Sequence, residues 1–262
     1  MFGRVKDHQM TFIEHLGELR KRLFYCALAL LVSTLISFTF YDKLLRILLY
    51  PAPEGFKPTF IEMTGFIGPV MKISLVGGFI LAVPVIAYQT VRFLLPALSP
   101  KERTYAILLL PGLSLSFIGG VVFCFFILLP TMTQFLLTFG SEFATPQVTL
   151  GSYVNTVTML LFWSGVSFET PFVMYFLSRI GLISPKGFAG FRKYWFLIAF
   201  VLGAMITPTL DPVNQALVAG PLIVLYEVGI WLARIAAWQS KERKPDKAAK
   251  KTPVTIDRGD QR

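Results

Sequence analysis

Long runs of apolar residues, separated by short polar segments, are the dominant pattern of this chain. Within each run the apolar residues neither alternate nor keep to one stripe, so the whole run needs lipid or an equally apolar protein surround. Each run is therefore predicted to be a helix that crosses a membrane. The fifth run has 13 residues and would cover about 20 Å, less than the roughly 30 Å of a hydrocarbon core. The six runs are Leu23–Phe40, Ile67–Gln89, Tyr105–Leu129, Val154–Leu177, Tyr194–Ile206 and Ala216–Ala233.

The basic residues lie mainly on one side of these predicted helices. With six crossings and a cytoplasmic N-terminus, 21 lysines and arginines fall on the cytoplasmic side and three on the other. Because positive charge accumulates in cytoplasmic loops, the asymmetry predicts that both ends are cytoplasmic. The sequence thus predicts an all-α membrane protein with six transmembrane helices, of which the fifth and sixth are short. We expect one membrane domain over residues 1–234 and a disordered basic tail over residues 235–262.

Composition and charge exclude several classes of protein. The 262 residues are 54% hydrophobic and their mean hydropathy is +0.62, which is unusual for a soluble domain. The net charge of +10 resides at helix ends and in the tail, so nucleic acid is not expected as a partner. Cys26 and Cys124 fall inside apolar runs and are expected to be core residues. The polar start of the chain lacks the pattern of a removable signal peptide.

Motifs for catalysis and cofactor binding are missing from the sequence. Both histidines, His8 and His15, precede the first run, and there is no Walker loop, metalloprotease motif or nucleophile elbow. An intramembrane protease would need a base inside the bilayer, and no histidine lies there. We therefore predict that the protein is not an enzyme and has no cofactor.

The segment Thr11–Leu23 is predicted to form an amphipathic helix that continues into the first run. Thr11 followed by Glu14 is a capping-box pattern. Glu14 and Glu18 lie one turn apart, on a different face from the apolar residues. Two interpretations remain open: these acids pair with a basic residue at 20–22, or a carboxylate binds a cationic ligand. The apolar residues at helical spacing are Phe12, Leu16, Leu19 and Leu23.

The segment Ser99–Arg103 has the pattern of a second helix start. Serine at the N-cap, proline at the first helical position and Glu102 at the third favour a helix that enters the membrane from the cytoplasm. Glu102 either caps this helix only or also binds a ligand. If the first and third crossing helices are neighbours, Glu18 and Glu102 could converge. Two carboxylates on one surface would suit the recognition of guanidinium groups.

Glu169 is an acidic residue inside the fourth run. It lies about ten residues, or roughly 15 Å, from the inner end of that run. An ionisable group there costs about 2.5–3.5 kcal/mol on insertion scales, so Glu169 is expected to face protein or water. Pro171 is expected to bend the helix nearby. Glu169 is thus either a hydrogen-bonded structural acid or part of a functional polar site.

Three further polar features have mainly structural interpretations. The segment Met205–Gln215 reads as a tight turn outside the membrane, with Asp211 suited to turn chemistry. Glu227 is expected to pair with Arg234. Lys72 is expected to extend outward from its helix towards the membrane surface.

The order and spacing of several short motifs resemble the TatC family, the large subunit of the twin-arginine protein translocase. The resemblance covers Phe12 to about Arg234. After the fifth crossing helix the family often reads Thr-Pro-Pro-Asp-x-x-Ser-Gln, whereas this chain reads Thr-Pro-Thr-Leu-Asp-Pro-Val-Asn-Gln and is one residue longer, so the role of Asp211 does not carry over directly. The motifs are His15-Leu-Gly-Glu-Leu-Arg-Lys-Arg-Leu23, Tyr88-Gln, Phe93-Leu-Leu-Pro-Ala-Leu98, Lys101-Glu-Arg103, Gly165-Val-Ser-Phe-Glu-Thr-Pro171, Ser184-Pro, Thr207-Pro, Gln215 and Leu225-Tyr-Glu227.

The resemblance implies a cup-shaped bundle of six helices in the cytoplasmic membrane and a role in exporting folded proteins. It implies that twin-arginine signal peptides bind at Glu18, Glu102, Arg20 and Phe93. It implies that Glu169 faces the cup. It also implies partners: TatA-type and TatB-type single-span subunits and further copies of the chain in a receptor complex. The docking positions that it implies for the single-span subunits are Met205, Thr207 and Gln215.

The predicted mechanism begins when Glu18 and Glu102 capture the paired arginines of a signal peptide. The apolar part of the peptide then enters the cup towards Glu169, and the short fifth helix thins the bilayer locally. Two alternatives remain open at this point. A proton-coupled secondary transporter would use Glu169 as its proton site, although the chain has no internal repeat. A structural scaffold would bind partners without reading a signal.

Overall fold

The computed structural model of this chain describes residues 12–53, 56–59, 64–139, 147–207 and 211–241. Within these residues all the regular elements are helices. The single extended pairing among them is an isolated parallel bridge between Thr59 and Thr149. A 3-10 turn at Leu95–Ala97 and a π-helical segment at Cys124–Leu128 link neighbouring helices. The α-helices of the described residues are α1 Phe12–Thr39, α2 Tyr41–Leu49, α3 Ile67–Leu94, α4 Pro100–Phe123, α5 Leu129–Thr138, α6 Leu150–Phe168, α7 Thr170–Arg179, α8 Pro185–Gly190, α9 Arg192–Ile206 and α10 Pro212–Lys241.

The all-helical membrane architecture expected from the sequence is confirmed. Among the described residues, five helical stretches are long and apolar enough to cross a bilayer. The first four predicted runs lie in four of these stretches, and the sixth run lies in the fifth. The remaining run corresponds to α9, which has 15 residues. The five stretches are Ile13–Thr39, Ile67–Leu94, Glu102–Thr138, Leu150–Arg179 and Pro212–Trp238.

The prediction of a short sixth helix is wrong. Helix α10 has 30 residues and continues to Lys241, because the residues after Arg234 include two alanines and a glutamine and contain no glycine or proline. The first seven residues of the expected disordered tail are therefore helical, and residues 242–262 lie outside the described residues. Pro221 is accommodated inside this helix.

Helix α2 was not anticipated by the search for apolar runs. Its nine residues, Tyr41–Leu49, mix charged residues with leucines, so no continuous apolar stretch marks it. The leucines at helical spacing carry the signal that periodicity could have used. Leu48 is buried, and Leu44 and Leu45 pack against the same core.

Helix α3 lies at the centre of the packing, since it contacts α1, α2, α4 and α6. Helix α1 packs chiefly on α3, and a missing side chain permits their close approach. A Cβ atom at Gly78 would lie 2.5 Å from Cα of Thr34, which is too close for a residue other than glycine. The register of α1 on α3 is therefore fixed at this crossing.

Helices α8 and α9 both run along α10. Arg179, at the end of α7, donates to the carbonyl of Ala236 at 3.0 Å. Further along the chain, Phe188 of α8 accepts from Tyr226 at 2.9 Å. The contact positions on α10 thus move from residue 236 towards its start as the chain proceeds. Trp195 of α9 continues the series by donating to Leu222 at 3.2 Å.

Candidate functional site

The start of α1 lies beside the end of α3. The ring of His15 stacks on Phe93, with centroids 4.4 Å apart and an angle of 18° between the planes. Further into the bundle, two turns along α1 and one turn back along α3, Nη1 of Arg22 donates to the side-chain oxygen of Gln89 at 3.1 Å. These two contacts hold the N-terminal motif against the C-terminal turns of α3. Sequence reasoning singled out Phe93 but gave His15 no contact with it.

Glu18 is held by Arg22, four residues later on the same helix. Nε of Arg22 donates to Oε1 of Glu18 at 3.0 Å, and Nη2 donates to the same oxygen. Both side chains are only 16% exposed. The interpretation that this acid pairs with a basic neighbour is confirmed for Arg22. The other oxygen, Oε2, is buried and has no hydrogen-bond partner among the described residues.

A buried carboxylate oxygen without a partner is unfavourable, because it has lost water and gained no donor. Such an oxygen can accept a hydrogen bond from an incoming cation at no cost in broken protein contacts. Arg22 meanwhile neutralises the carboxylate and fixes its orientation. The Glu18 carboxylate is therefore an acceptor with one oxygen bonded to Arg22 and the other available to a ligand.

Glu102 is fixed at the first turn of α4. Its Oε2 accepts from the backbone N–H of Ser99 at 2.8 Å, and the side chain of Ser99 accepts in return from the backbone N–H of Glu102, which completes a capping box. The capping box expected from the sequence is therefore confirmed. The cap fixes the position of the Glu102 carboxylate, and a carboxylate in a fixed position is suited to ligand binding.

The connection between α3 and α4 brings both acids to one end of the bundle. Nε of Arg103 donates to the carbonyls of Leu95 at 2.9 Å and Leu98 at 3.1 Å. These bonds tie the first turn of α4 to the end of α3, where α1 also begins. In the packing, α3 stands between α1 and α4, so Glu18 and Glu102 are related through the end of α3.

The other two residues of the expected signal-binding set differ in position. Phe93 is half-buried and stacks on His15, whereas Arg20 is exposed on α1 and lies about 200° around the helix from Glu18. Thr11, the expected cap of α1, lies outside the described residues. We refer below to the surface formed by His15, Glu18, Phe93 and Glu102 as the inner acidic surface.

Glu169 marks a break between α6 and α7. Its backbone ends α6 through a bond from its N–H to Val166 at 3.1 Å and begins α7 by accepting from Val173 at 3.0 Å. Pro171 follows in the first turn of α7, so the helix is interrupted close to the proline that was expected to bend it. One carboxylate oxygen, Oε2, is buried without a hydrogen-bond partner among the described residues.

Helix α4 packs closely on α6 and on the break. Ser116 donates to the carbonyl of Phe168 at 2.6 Å, and Ser164 donates to that of Gly120 at 2.9 Å. A Cβ atom at Gly120 would lie 2.6 Å from the backbone oxygen of Ser164. Glu169 is thus half-buried in a tightly packed helix contact, in agreement with the expectation that it faces protein and not bulk lipid.

The end of α9 and the start of α10 meet at the expected docking positions. Met205 is 66% exposed. Thr207 is buried and donates to Gly203 at 2.8 Å, while Gln215 donates to Phe200 at 2.7 Å. Gln215 therefore joins the two helices, Thr207 bonds back to α9, and the methionine provides an exposed apolar side chain.

Asp211 caps the last helix, as the turn pattern predicted. Its Oδ1 accepts from the backbone N–H of Asn214 at 2.8 Å, and its Oδ2 accepts from the amide of the same residue at 2.9 Å. Asn214 is fully buried. The one-residue difference from the family pattern therefore leaves a functional cap.

The predicted pairing of Glu227 with Arg234 is wrong. Glu227 instead accepts from Arg192 at 2.7 Å, because α9 begins beside it. Arg234 lies two turns further along α10, and its guanidinium is 5.9 Å from the ring centre of Trp231. Lys72, expected to extend outward, donates to the side-chain oxygen of Asn155 on α6. Among the described residues, no group of three or more histidine, cysteine or acidic side chains could hold a metal ion.

Comparisons with known proteins bear on this geometry. A family model described as Sec-independent protein translocase protein (TatC) matches residues 14–221. The chain is 40% identical over 238 residues to the Sec-independent protein translocase protein TatC of Aquifex aeolicus, an alignment covering 89% of this chain and 98% of that protein. It is 36% identical over 231 residues to the protein of the same name from Carboxydothermus hydrogenoformans, covering 88% and 95%. A crystal structure described as the twin arginine translocase receptor TatC is similar with a TM-score of 0.77 and 41% identity, over 85% of this chain and 99% of that one.

Proposed function

Because the chain belongs to the TatC family of Sec-independent protein translocase subunits, we propose that its inner acidic surface captures twin-arginine signal peptides. The protein is an integral component of the cytoplasmic membrane and acts in protein transport, not as an enzyme. The proposal concerns which residues read the signal and how. The observation that carries it is the buried oxygen of Glu18 that has no partner among the described residues.

Capture begins at Glu18. Arg22 occupies Oε1, and Oε2 accepts from the guanidinium of one signal arginine. Charge-assisted hydrogen bonds of this kind are about twice as strong as neutral ones, and the planar guanidinium supplies parallel donors. A lysine ammonium carries the same charge but lacks that fork, so the site prefers arginine to lysine.

The second signal arginine binds near Glu102. This carboxylate is held by the cap of α4, so binding costs it little side-chain entropy. Between the two acids, the stacked rings of His15 and Phe93 offer a flat face on which a guanidinium can lie. Arg20 is exposed on α1 and donates to carbonyl groups of the bound peptide.

The apolar segment of the signal peptide next moves towards Glu169 in the bilayer. The interrupted helix and the buried carboxylate oxygen at Glu169 support this step. An ionisable group at that depth costs insertion free energy, which a hydrogen bond to a partner offsets. We infer that Glu169 accepts a hydrogen bond from the inserted peptide or from a partner helix. Glu169 thus acts after capture.

Six crossings with both ends in the cytoplasm, arranged as a cup, complete the proposed arrangement. The positive-inside asymmetry supports this topology. The short α9 becomes long enough when α8 is added, since their 6 and 15 residues rise about 31 Å. Local bilayer thinning is therefore not needed for α9 to cross. TatA-type and TatB-type subunits dock at Met205, Thr207 and Gln215, where an exposed methionine lies beside an internally satisfied polar pair.

A peptide-binding experiment tests the capture step. Glu18→Gln, Glu102→Gln and the double variant are purified, and their affinities for a fluorescent twin-arginine signal peptide and a twin-lysine peptide are measured. We expect each single variant to weaken arginine binding by about ten-fold or more, since a hydrogen bond to a charged group is worth about 1.5–3 kcal/mol. Glu14→Gln, one turn earlier on α1, is the matched control. Equal affinity of the double variant and the wild type would overturn the proposal.

A further inference from the structure

A large groove lies at the inner end of α10, between this helix and the segment that links α7 to α9. Its volume is about 750 Å³, within the range of pockets that hold small molecules. The linking segment can double back here because Gly181 has a positive φ of 79°, a conformation that other residues rarely adopt. One wall is this segment and α8, and the other is α10. Ile183, Pro185, Ala189, Ala237 and Trp238 supply apolar lining.

The groove lies at the level of the inner membrane surface. It begins where α7 ends, beside Arg179, which reaches across to α10 at Ala236. Trp238 lines it and is 63% exposed, and tryptophan is the residue enriched at membrane interfaces. An exposed apolar stripe runs along α10 to this point, so lipid chains have a continuous surface leading into the groove. The stripe consists of Val224, Val228, Trp231, Ile235 and Trp238.

Two basic side chains, Lys186 and Arg234, line the same groove. No carboxylate of the described residues lines it, and neither cation belongs to an ion pair between described residues. Apolar walls with two cations at the water boundary fit an amphiphile whose polar end is anionic. They do not fit a twin-arginine peptide, because its arginines would meet like charges.

We propose that this groove binds an anionic phospholipid of the inner leaflet. The phosphate lies between Lys186 and Arg234, and an acyl chain lies along Ala237 and Trp238. The bound lipid joins the linking segment to α10 and so stabilises the path of α8 and α9. This site is separate from the inner acidic surface and does not depend on the capture of signal peptides.

Native mass spectrometry of the full chain tests the proposal, using equal amounts of phosphatidylglycerol and phosphatidylcholine in the detergent. We expect phosphatidylglycerol to be retained preferentially. Lys186→Gln with Arg234→Gln should reduce that retention by about 25-fold, since each cation near an anionic headgroup contributes about a five-fold factor. Lys43→Gln with Arg46→Gln removes two exposed cations from α2 and is the matched control. Equal retention by the groove variant and the wild type would overturn the proposal.

A second measurement keeps the test informative if the double variant folds poorly. The fluorescence of Trp238 is obtained by subtracting the emission of the Trp238→Phe variant from that of the wild type. Phosphatidylglycerol with brominated acyl chains should quench this fluorescence. Brominated phosphatidylcholine should quench it less at equal concentration. Identical quenching by the two lipids would show that the groove has no preference for an anionic lipid. Quenching relieved by a twin-arginine peptide would show that the groove is not separate from signal-peptide binding, and would also overturn the proposal.

Discussion

The guanidinium of Arg22 holds one oxygen of the Glu18 carboxylate while the other oxygen stays buried and unpartnered among the described residues. The pair is not a simple surface salt bridge, since both side chains are largely buried. Arg22 also donates to Gln89 on α3, so the carboxylate is positioned relative to two helices. The consequence is a preorganised acceptor: its direction is set before a ligand arrives.

Replacing Arg22 separates preorganisation from net charge as the source of signal affinity. Arg22→Gln removes a cation, so long-range electrostatics alone would strengthen the binding of a cationic peptide. We expect about ten-fold weaker binding, because Glu18 is no longer held and a bond to a charged group is lost. Lys21→Gln removes the same charge at the neighbouring residue without changing the contacts of Glu18, and should not weaken peptide binding. Peptide affinities at low and high salt decide the matter, and tighter binding by Arg22→Gln would rule out preorganisation.

The crossing of α1 and α3 controls the same site from a distance. Gly78→Ala would bring a Cβ atom to 2.5 Å from the backbone of Thr34, so α1 must shift. Overpacking of this kind costs about 1–3 kcal/mol, and the shift separates His15 from Phe93. We expect a lower unfolding temperature and weaker signal-peptide binding.

Gly119→Ala is the matched control for that substitution. Gly119 is also inside a helix, but a Cβ atom there meets nothing within 4 Å. Its replacement should leave peptide binding unchanged and stabilise the helix by up to about 1 kcal/mol. If Gly78→Ala bound the peptide as tightly as Gly119→Ala does, the crossing would have no influence on the site.

Much of the fold could be predicted from the sequence because lipid imposes long apolar runs. The apolar runs and the helix start at Ser99 were identified by length and capping chemistry, which are local properties. Helices α2 and α8 were not, because one is short and charged and the other has six residues. The length of α10 was underestimated because Arg234 was taken as its end, whereas a helix can carry an arginine whose head reaches the interface.

The candidate site was predictable in its residues but not in its contacts. The acidic residues stood out because few acids accompany so many apolar residues. The Arg192–Glu227 pair could not be predicted, because it depends on the depth at which α9 begins beside α10. The same holds for the His15–Phe93 stack, which joins helices separated by a long stretch of sequence and depends on their register.

Glu169 offers a test of function apart from folding. Glu169→Leu should leave signal-peptide binding at the inner acidic surface unchanged and should abolish most export. Stability should stay equal or rise by about 1 kcal/mol, because a buried oxygen without a partner is removed. Ser167→Ala, which loses only a bond within its own helix, is the control. Export, peptide affinity and unfolding temperature are measured together, and normal export by Glu169→Leu would make the residue merely structural.

The Arg192–Glu227 pair reports where the bilayer ends around α9. Both side chains are nearly half exposed on the chain itself, at 46% and 40%. In water such a pair would contribute about 0–1 kcal/mol. However, Val228, Trp231 and Ile235 continue the exposed apolar stripe of α10 beyond this level. We therefore expect the exposed surface of the pair to face lipid, where breaking it by removing one partner is more costly.

A double-mutant cycle in lipid nanodiscs measures this difference. Arg192→Gln and Glu227→Gln should each lower the unfolding temperature, and the double variant should recover part of the loss. We expect a coupling energy above about 1 kcal/mol that changes little between low and high salt, because lipid excludes the screening ions. A smaller coupling that vanishes at high salt would mean that water reaches α9 at Arg192. In that case the bilayer would be thinned around α9, and α8 would lie in the cytoplasm and not in the fifth crossing.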